Sequence, residues 1–136
     1  MKNIDSNGHV TGKSIYLDDI PHIQGTCFGV VYDSPVAHGT IESIDYSEAL
    51  AYPGVIKILT HEDIPGENQI GGIIPDEPLF ASMDVHFQGQ PLALIIAKSE
   101  QIAFEARKLI DITISEKDVI VDPREAQKKN QLIIPP

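Results

Sequence analysis

Leu92–Ile114 reads L-A-L-I-I-A-K-S-E-Q-I-A-F-E-A-R-K-L-I-D-I-T-I. Its first part, Leu92 to Ala97, is an unbroken apolar run, as expected of a strand buried on both faces. Ser99 then offers an N-cap, and Ile102, Ala103, Ala106, Leu109 and Ile110 recur at helical spacing over about Glu100 to Leu109. Glu100, Gln101, Glu105, Arg107 and Lys108 lie mainly off that stripe. Ile110 to Ile114 returns to extended structure. Strand, helix and strand of this size match a crossover unit. The expectation is an α+β domain with a mixed sheet and a βαβ unit near its C-terminal end.

Upstream, Thr26 to Tyr32 (T-C-F-G-V-V-Y) is β-branched and aromatic and stops at the turn residues D-S-P. Gly39 to Asp45 and Val55 to Leu59 read as further strands, the latter with Lys57 facing out. Ser47 can cap a short helix through Ala51, with Glu48 placed to favour its dipole. Pro53 and Gly54 end that helix. Thr60 can cap one more turn before Pro65, and Asp84 to Phe87 reads as a short strand leading into Q-G-Q-P. Ser14 to Ile20 forms an extended or one-turn segment closed by Pro21. Before it lies a polar, loosely held lead-in. Beyond the crossover, Asp122 followed by Pro123 starts a last helix that runs to about Lys129. The chain then closes on Leu132 to Pro136, L-I-I-P-P, which has nothing left to pack it and reads as a cut. The expected organisation is a flexible lead-in over 1–13, a single domain over 14–129, and the start of a linker over 130–136.

The 136 residues are 42% apolar, which suits one domain with a real core. The net charge of −10 makes a phosphate backbone or an anionic membrane surface a poor partner. The single cysteine, Cys27, allows no intrachain disulfide, which fits a reducing compartment. The start has no apolar core of a signal peptide, and Leu92 to Ala97 is too short to span a bilayer. The expected setting is soluble and cytoplasmic, with neither nucleic acid nor membrane as partner.

Residue chemistry alone assembles no catalytic constellation. His9, His22, His38, His61 and His86 include no pair three or four residues apart, so no helix presents a metal-binding face. Cys27 reads as a small apolar filler within a strand. Ser34 lacks the frame of a nucleophile elbow. Gly71-Gly72 neither follows a strand nor opens a helix, so it is no dinucleotide fingerprint and reads as a pair permitting unusual backbone angles. The adjacent carboxylates Asp76-Glu77 and Asp18-Asp19 point to opposite sides of an extended chain, which suits caps and turns and not a paired acid and base.

One stretch stands apart. Ile64 to Ala81 reads I-P-G-E-N-Q-I-G-G-I-I-P-D-E-P-L-F-A, with three prolines and three glycines, yet Ile70, Ile73, Ile74, Leu79 and Phe80 sit among them. A long loop carrying apolar side chains is more often a functional loop that packs against something than a linker.

These residues also carry a resemblance. Val10 to Pro21 (V-T-G-K-S-I-Y-L-D-D-I-P), Ser34 to Asp45 (S-P-V-A-H-G-T-I-E-S-I-D) and Pro53 to Val55 resemble the molybdenum hydroxylases in order and spacing. So do Asp63 to Ala81 (D-I-P-G-E-N-Q-I-G-G-I-I-P-D-E-P-L-F-A) and Gly89 to Ala97 (G-Q-P-L-A-L-I-I-A). That family includes xanthine dehydrogenase, aldehyde oxidase and bacterial relatives. The similarity runs from about residue 10 to 125 and is to the N-terminal α/β-hammerhead domain of the large, molybdopterin-binding subunit. The methionine start suggests a separately encoded large subunit.

The resemblance implies a fragment, inactive alone, of an oxidoreductase that hydroxylates a purine or aldehyde carbon with water as oxygen source. It implies molybdopterin-bound molybdenum in the full enzyme, with [2Fe–2S] clusters and FAD on other subunits or domains. The implied partners are the remainder of the molybdopterin subunit, the iron–sulfur and flavin parts, and a small-molecule substrate. The family's catalytic glutamate and molybdopterin-gripping segments lie downstream, so the resemblance assigns no catalytic, cofactor-binding or metal residue here. It does assign a substrate-funnel wall: aligned on Asp76-Glu77, its apolar positions are Ile73 and Ile74. Xanthine-oxidising relatives can carry leucine and phenylalanine there, with a shorter spacing from the glycine to the acidic pair. The alternative is a stand-alone interaction module that docks a protein partner through loop 64–81.

Overall fold

The computed structural model describes residues 5–131, so the L-I-I-P-P ending lies outside the described residues, as does the first part of the lead-in. The strands are β1 (Phe28–Asp33), β2 (Gly39–Asp45), β3 (Val55–Leu59), β4 (Asp84–Val85), β5 (Pro91–Ala97) and β6 (Asp111–Glu116). The helices are α1 (Ser6–Val10), α2 (Ser47–Ala51), α3 (Glu100–Arg107) and α4 (Pro123–Lys128). Single 3-10 turns cover Leu17–Asp19 and His61–Asp63.

The strands form two three-stranded sheets, ordered β1-β5-β3 and β4-β2-β6. Among the described residues every pairing is antiparallel. The α+β expectation holds, but the mixed sheet and the βαβ unit do not. β5, α3 and β6 follow one another as expected, yet β5 and β6 belong to different sheets. The reason is occupancy: β1 pairs along one edge of β5 and β3 along the other, so β6 finds its partner in β2.

β5 is the centre of the core. Ala93, Ile95 and Ala97 are all 0% exposed, whereas the intervening Leu94 and Ile96 are half-buried. On the other face Leu92 is buried as well, so the strand is sealed along one face and half covered only over Leu94 and Ile96 on the other, a difference from the expectation of equal burial. The sealed face gathers Val30 and Tyr32 of β1, Ile58 of β3, and Ala103 and Ala106 of α3 into one cluster. Alanines at the helix contact let α3 lie close to the sheet. Gly54, which leads into β3 with φ +96°, serves the same closeness: a Cβ there would meet Ile102 Cδ1 of α3 at 2.7 Å.

Caps are set largely as the sequence indicates. Ser99 Oγ accepts from Ile102 N, Thr60 Oγ1 from Glu62 N, and an Asp122 oxygen from Arg124 N with Pro123 in the first turn. Ser47 is the exception: it is the first helical residue, and its N–H donates to Asp45 Oδ1 at 2.8 Å. The lead-in also carries more structure than its polarity indicates, since Ser6–Val10 turns as α1 and Tyr16 Oη bonds His9 Nδ1 at 3.0 Å. Cys27 lies exposed before β1, because the β1–β5 ladder begins only at Phe28 opposite Ala97. It is not a core filler.

The smaller sheet is tied by charge. Asp84 of β4 accepts from Thr40 Oγ1 of β2 at 2.7 Å and from Lys117 Nζ, just past β6, at 2.8 Å. Those bonds, led by Lys117, hold the Asp84 carboxyl below the usual carboxylate range. Lys57 and the Thr60 N–H do the same for Asp63. Such carboxylates stabilise the fold above the unfolded value of about 3.9, and that contribution is lost as pH falls through their lower folded values.

The one-sided core and the charge tie can each be tested. Ile95→Ala should cost about 3 kcal/mol in urea unfolding, while Val31→Ala on the open face, 43% exposed, should cost about 1 kcal/mol or less; equal costs would contradict the one-sided core. Urea midpoints should fall between about pH 5 and pH 2, and Asp84→Asn should flatten part of that fall. An unchanged acid profile in Asp84→Asn would remove the charge tie from the account.

Candidate functional site

Loop 64–81 is closed at its neck by one side chain. Asn68 Nδ2 donates to Phe80 O at 2.7 Å, and Phe80 N donates to Asn68 Oδ1 at 3.0 Å. The amide thus pairs with the backbone of a residue twelve positions on, as a strand would. Phe80 and Ala81 are buried beside it, and Ala81 N donates to Pro91 O at 2.8 Å, which anchors the neck to β5. Within the loop, Ile70 N donates to Glu77 O at 2.8 Å and Asp76 N to Ile74 O at 3.0 Å.

Gly71 is needed for space, not for unusual angles. Its φ lies outside the left-handed region, but a Cβ there would sit 2.0 Å from Ile74 O. That differs from the expectation for the glycine pair; Gly72, by contrast, faces open space. Gln69 Oε1 is buried nearby and, among the described residues, has no hydrogen-bond partner.

A fixed neck leaves a presented tip. Ile73 is 98% exposed and Ile74 56%, and Ile70 and Leu79 are exposed as well. The two residues expected at a funnel wall are therefore neighbours on the outside of a braced loop. Asp76 and Glu77 are exposed beside them, and their backbone groups make the turn bonds just described. Asp19 has a similar local role: its Oδ2 accepts from Tyr16 N at 3.0 Å.

Further apolar side chains are unburied elsewhere. Val10, Ile15, Leu17, Ile20 and Ile23 ahead of β1 are exposed, and Val31, Leu94 and Leu59 lie in register across the open face of the β1-β5-β3 sheet. A patch of this kind usually marks a contact surface.

A shallow cleft of about 490 Å³ lies apart from the loop, lined by Tyr32, Asp33, Ser34, Pro35, Gln88, Gly89 and Arg107. Its charges are used internally, because Arg107 of α3 pairs with Asp33 of β1. Ser34 Oγ donates to Val36 O at 2.8 Å, and buried Gln90 accepts from His86 N at 2.7 Å through Oε1. Burial raises the Tyr32 hydroxyl above its usual range against the opposing pull of Arg107, and burial pushes Tyr46 up to about 12. These groups hold structure; none is poised as an acid, base or nucleophile.

Among the described residues no three histidine, cysteine, aspartate or glutamate side chains converge to hold a metal ion. A single exposed cysteine cannot supply the thiolates of an iron–sulfur cluster. The described residues therefore offer no ligand set for an iron–sulfur cluster or for a metal ion held by three protein side chains.

Residues 11–118 match the family described as aldehyde oxidase and xanthine dehydrogenase, a/b hammerhead domain. The chain belongs to that family, as its α/β-hammerhead domain. It is 35% identical over 95% of its length to a xanthine dehydrogenase of Dictyostelium discoideum, covering 9% of that protein. It is 40% identical over 93% of its length to aldehyde oxidase 4 of Mus musculus, covering 9% of that one. Among solved structures, reconstituted CO dehydrogenase from Oligotropha carboxidovorans superposes with a TM-score of 0.83 at 32% identity, over 93% of this chain and 16% of that one. The hammerhead chain thus spans a small part of each relative. In none of its described helices is there a stretch long and apolar enough to cross a membrane.

Sequence reasoning named Ile73 and Ile74 but missed Asn68, the residue that holds their loop. Its only local signal was an amide just ahead of an apolar loop, and its partner is distant in sequence. Asn68→Ala should cost about 1–2 kcal/mol and speed amide exchange from Ile70 to Leu79. Exchange rates equal to wild type would show that the neck is held by something else.

Proposed function

We propose that the hammerhead chain is the N-terminal part of the large subunit of a xanthine dehydrogenase-like molybdenum hydroxylase. In this reading Ile73 and Ile74 form one wall of the substrate funnel. The observation that carries it is the braced loop. Two adjacent isoleucines are held clear of the domain, 98% and 56% exposed, on a loop whose neck Asn68 and Phe80 lock. Leaving such side chains in water forgoes roughly 1.5–3 kcal/mol each of burial, so a surface outside this chain is their natural complement.

When bound, the molybdopterin of the full enzyme would supply hydroxylation of a purine or aldehyde carbon with oxygen from water. In this reading the described residues of the hammerhead chain supply no acid, base or ligand to that chemistry. Its part is exclusion and shape. Bulky apolar walls favour a flat, weakly hydrated substrate ring and keep solvent from its faces. The domain is taken as residues 14–129, with 130–136 beginning the connection onward. The exposed lead-in and the half-covered sheet face offer contact surface to the remainder of the subunit. The iron–sulfur and flavin parts are more distant partners.

The same exposed isoleucines would also serve a stand-alone module that docks a protein partner through loop 64–81. Co-expression separates the two readings. Hydroxylase activity recovered only when this chain and the downstream molybdopterin segment are together supports the enzyme, whereas no association between them supports the module. In the complete enzyme, Ile73→Ala or Ile74→Ala should change KM or substrate preference by about 10-fold, the scale of an altered apolar pocket. In the isolated chain neither should cost more than about 0.5 kcal/mol. Unchanged kinetics for both variants would take them out of the funnel.

A further inference from the structure

We propose that His38 and His86 form a surface site for a borderline divalent transition metal, Zn²⁺ or Ni²⁺, that clamps β4 to β2. The proposal is independent of the funnel reading and of molybdenum. The two residues are far apart in sequence, but the ladder brings them together. Gly39 pairs with Val85 and Thr40 with Asp84, so continuing the antiparallel register by one step places His38 opposite His86. Directly opposed residues hold their Cβ atoms about 4.5–5.5 Å apart. The ring centroids lie 6.5 Å apart with planes at 27°. Metal–nitrogen bonds of about 2.0–2.1 Å require both ring nitrogens to point at one ion, which rotation of the exposed His86 ring brings about.

The ring chemistry suits this use. His38 Nδ1 lies 2.8 Å from Asp118 O. A carbonyl can only accept, so Nδ1 carries a hydrogen and Nε2 is the nitrogen left to bind a metal. Donation from one imidazole nitrogen to a backbone carbonyl is how metal-binding histidines are commonly oriented. His86 is exposed, and its backbone is fixed by donation to Gln90 Oε1. Neutral imidazole suits zinc, copper and nickel.

The neighbouring charges allow it. Lys117, which would stand across from His38 on the other side, turns its ammonium to Asp84 Oδ1 at 2.8 Å. That leaves the cation paired and the carboxylate near His86. With no third protein ligand among the described residues, water completes the coordination shell. β4 is two residues long and begins at Asp84, with two residues between it and loop 64–81, so an ion there would brace the strand that follows the loop.

The test titrates the 136-residue chain with ZnCl₂ and NiCl₂ by calorimetry, with His86→Gln, His38→Asn and His61→Gln as variants. Expected is one ion per chain, a rising Tm with added metal, and at least about 10-fold weaker binding in the first two variants only. Far-UV circular dichroism checks that each variant folds. On the wild-type chain, Ni²⁺ should broaden the ring signals of His38 and His86 ahead of the other histidines, a readout that needs no variant. Absence of binding even in large molar excess would overturn the site. Broadening centred on His9, His22 or His61, or binding indifferent to both substitutions, would do so too.

Discussion

β5 pairs with a strand along each edge and lies under a helix on one face, and the rest of the domain is arranged by those contacts. Ala93, Ile95 and Ala97 are sealed beneath α3, while β1 pairs along one edge of β5 and β3 along the other from Leu94 to Ala97. A strand with both edges filled cannot accept a third neighbour. The chain leaving α3 must therefore build a second sheet, and β6 does so with β2 and β4. Two small sheets sharing one core follow from the saturation of a single strand. The arrangement also leaves loop 64–81 between β3, on the first sheet, and β4, on the second.

That loop is a separate problem in local physics. Its prolines forbid ladder hydrogen bonds and its glycine at 71 admits the Ile74 carbonyl where a side chain would collide. Closing such a loop costs entropy that its few internal backbone bonds do not offset. The Asn68 amide supplies a donor and an acceptor to one residue, Phe80, and so closes the neck with a two-bond pair. What the neck fixes is position, not burial: the isoleucines beyond it stay in solvent. A loop braced at its base and apolar at its tip is suited to meet a surface without folding onto its own domain.

Much of this was legible in the residues, and the failures have physical causes. The bounds of β2 and β3 follow from turn residues at their ends, and the caps at Ser99, Thr60 and Asp122 follow from side-chain oxygens placed before apolar periodicity. The crossover failed because a helical stripe specifies that a helix packs on a sheet, not which sheet the next strand joins. Cys27 was misplaced because β-propensity continues through T-C-F while the partner strand does not. Asn68 and the His38–His86 pair were invisible because each depends on contacts made across the fold. Ile73 and Ile74 were reached only through resemblance; their spacing alone says nothing of a funnel.

The open side of the β1-β5-β3 sheet raises the same question as the loop. Val31, Leu94 and Leu59 stand in one row across it, and none is sealed. A sheet stabilised alone would bring helices to both faces or place polar residues on the open one. Here α3 covers one face, and the other keeps an apolar row beside Lys57, while the segment ahead of β1 adds Ile15, Leu17, Ile20 and Ile23 to the exposed surface. Exposed apolar area on this scale is a liability for a free domain and an asset for one built into a larger body. The loop, the sheet face and the segment ahead of β1 agree in that respect, and each is left exposed by the described residues.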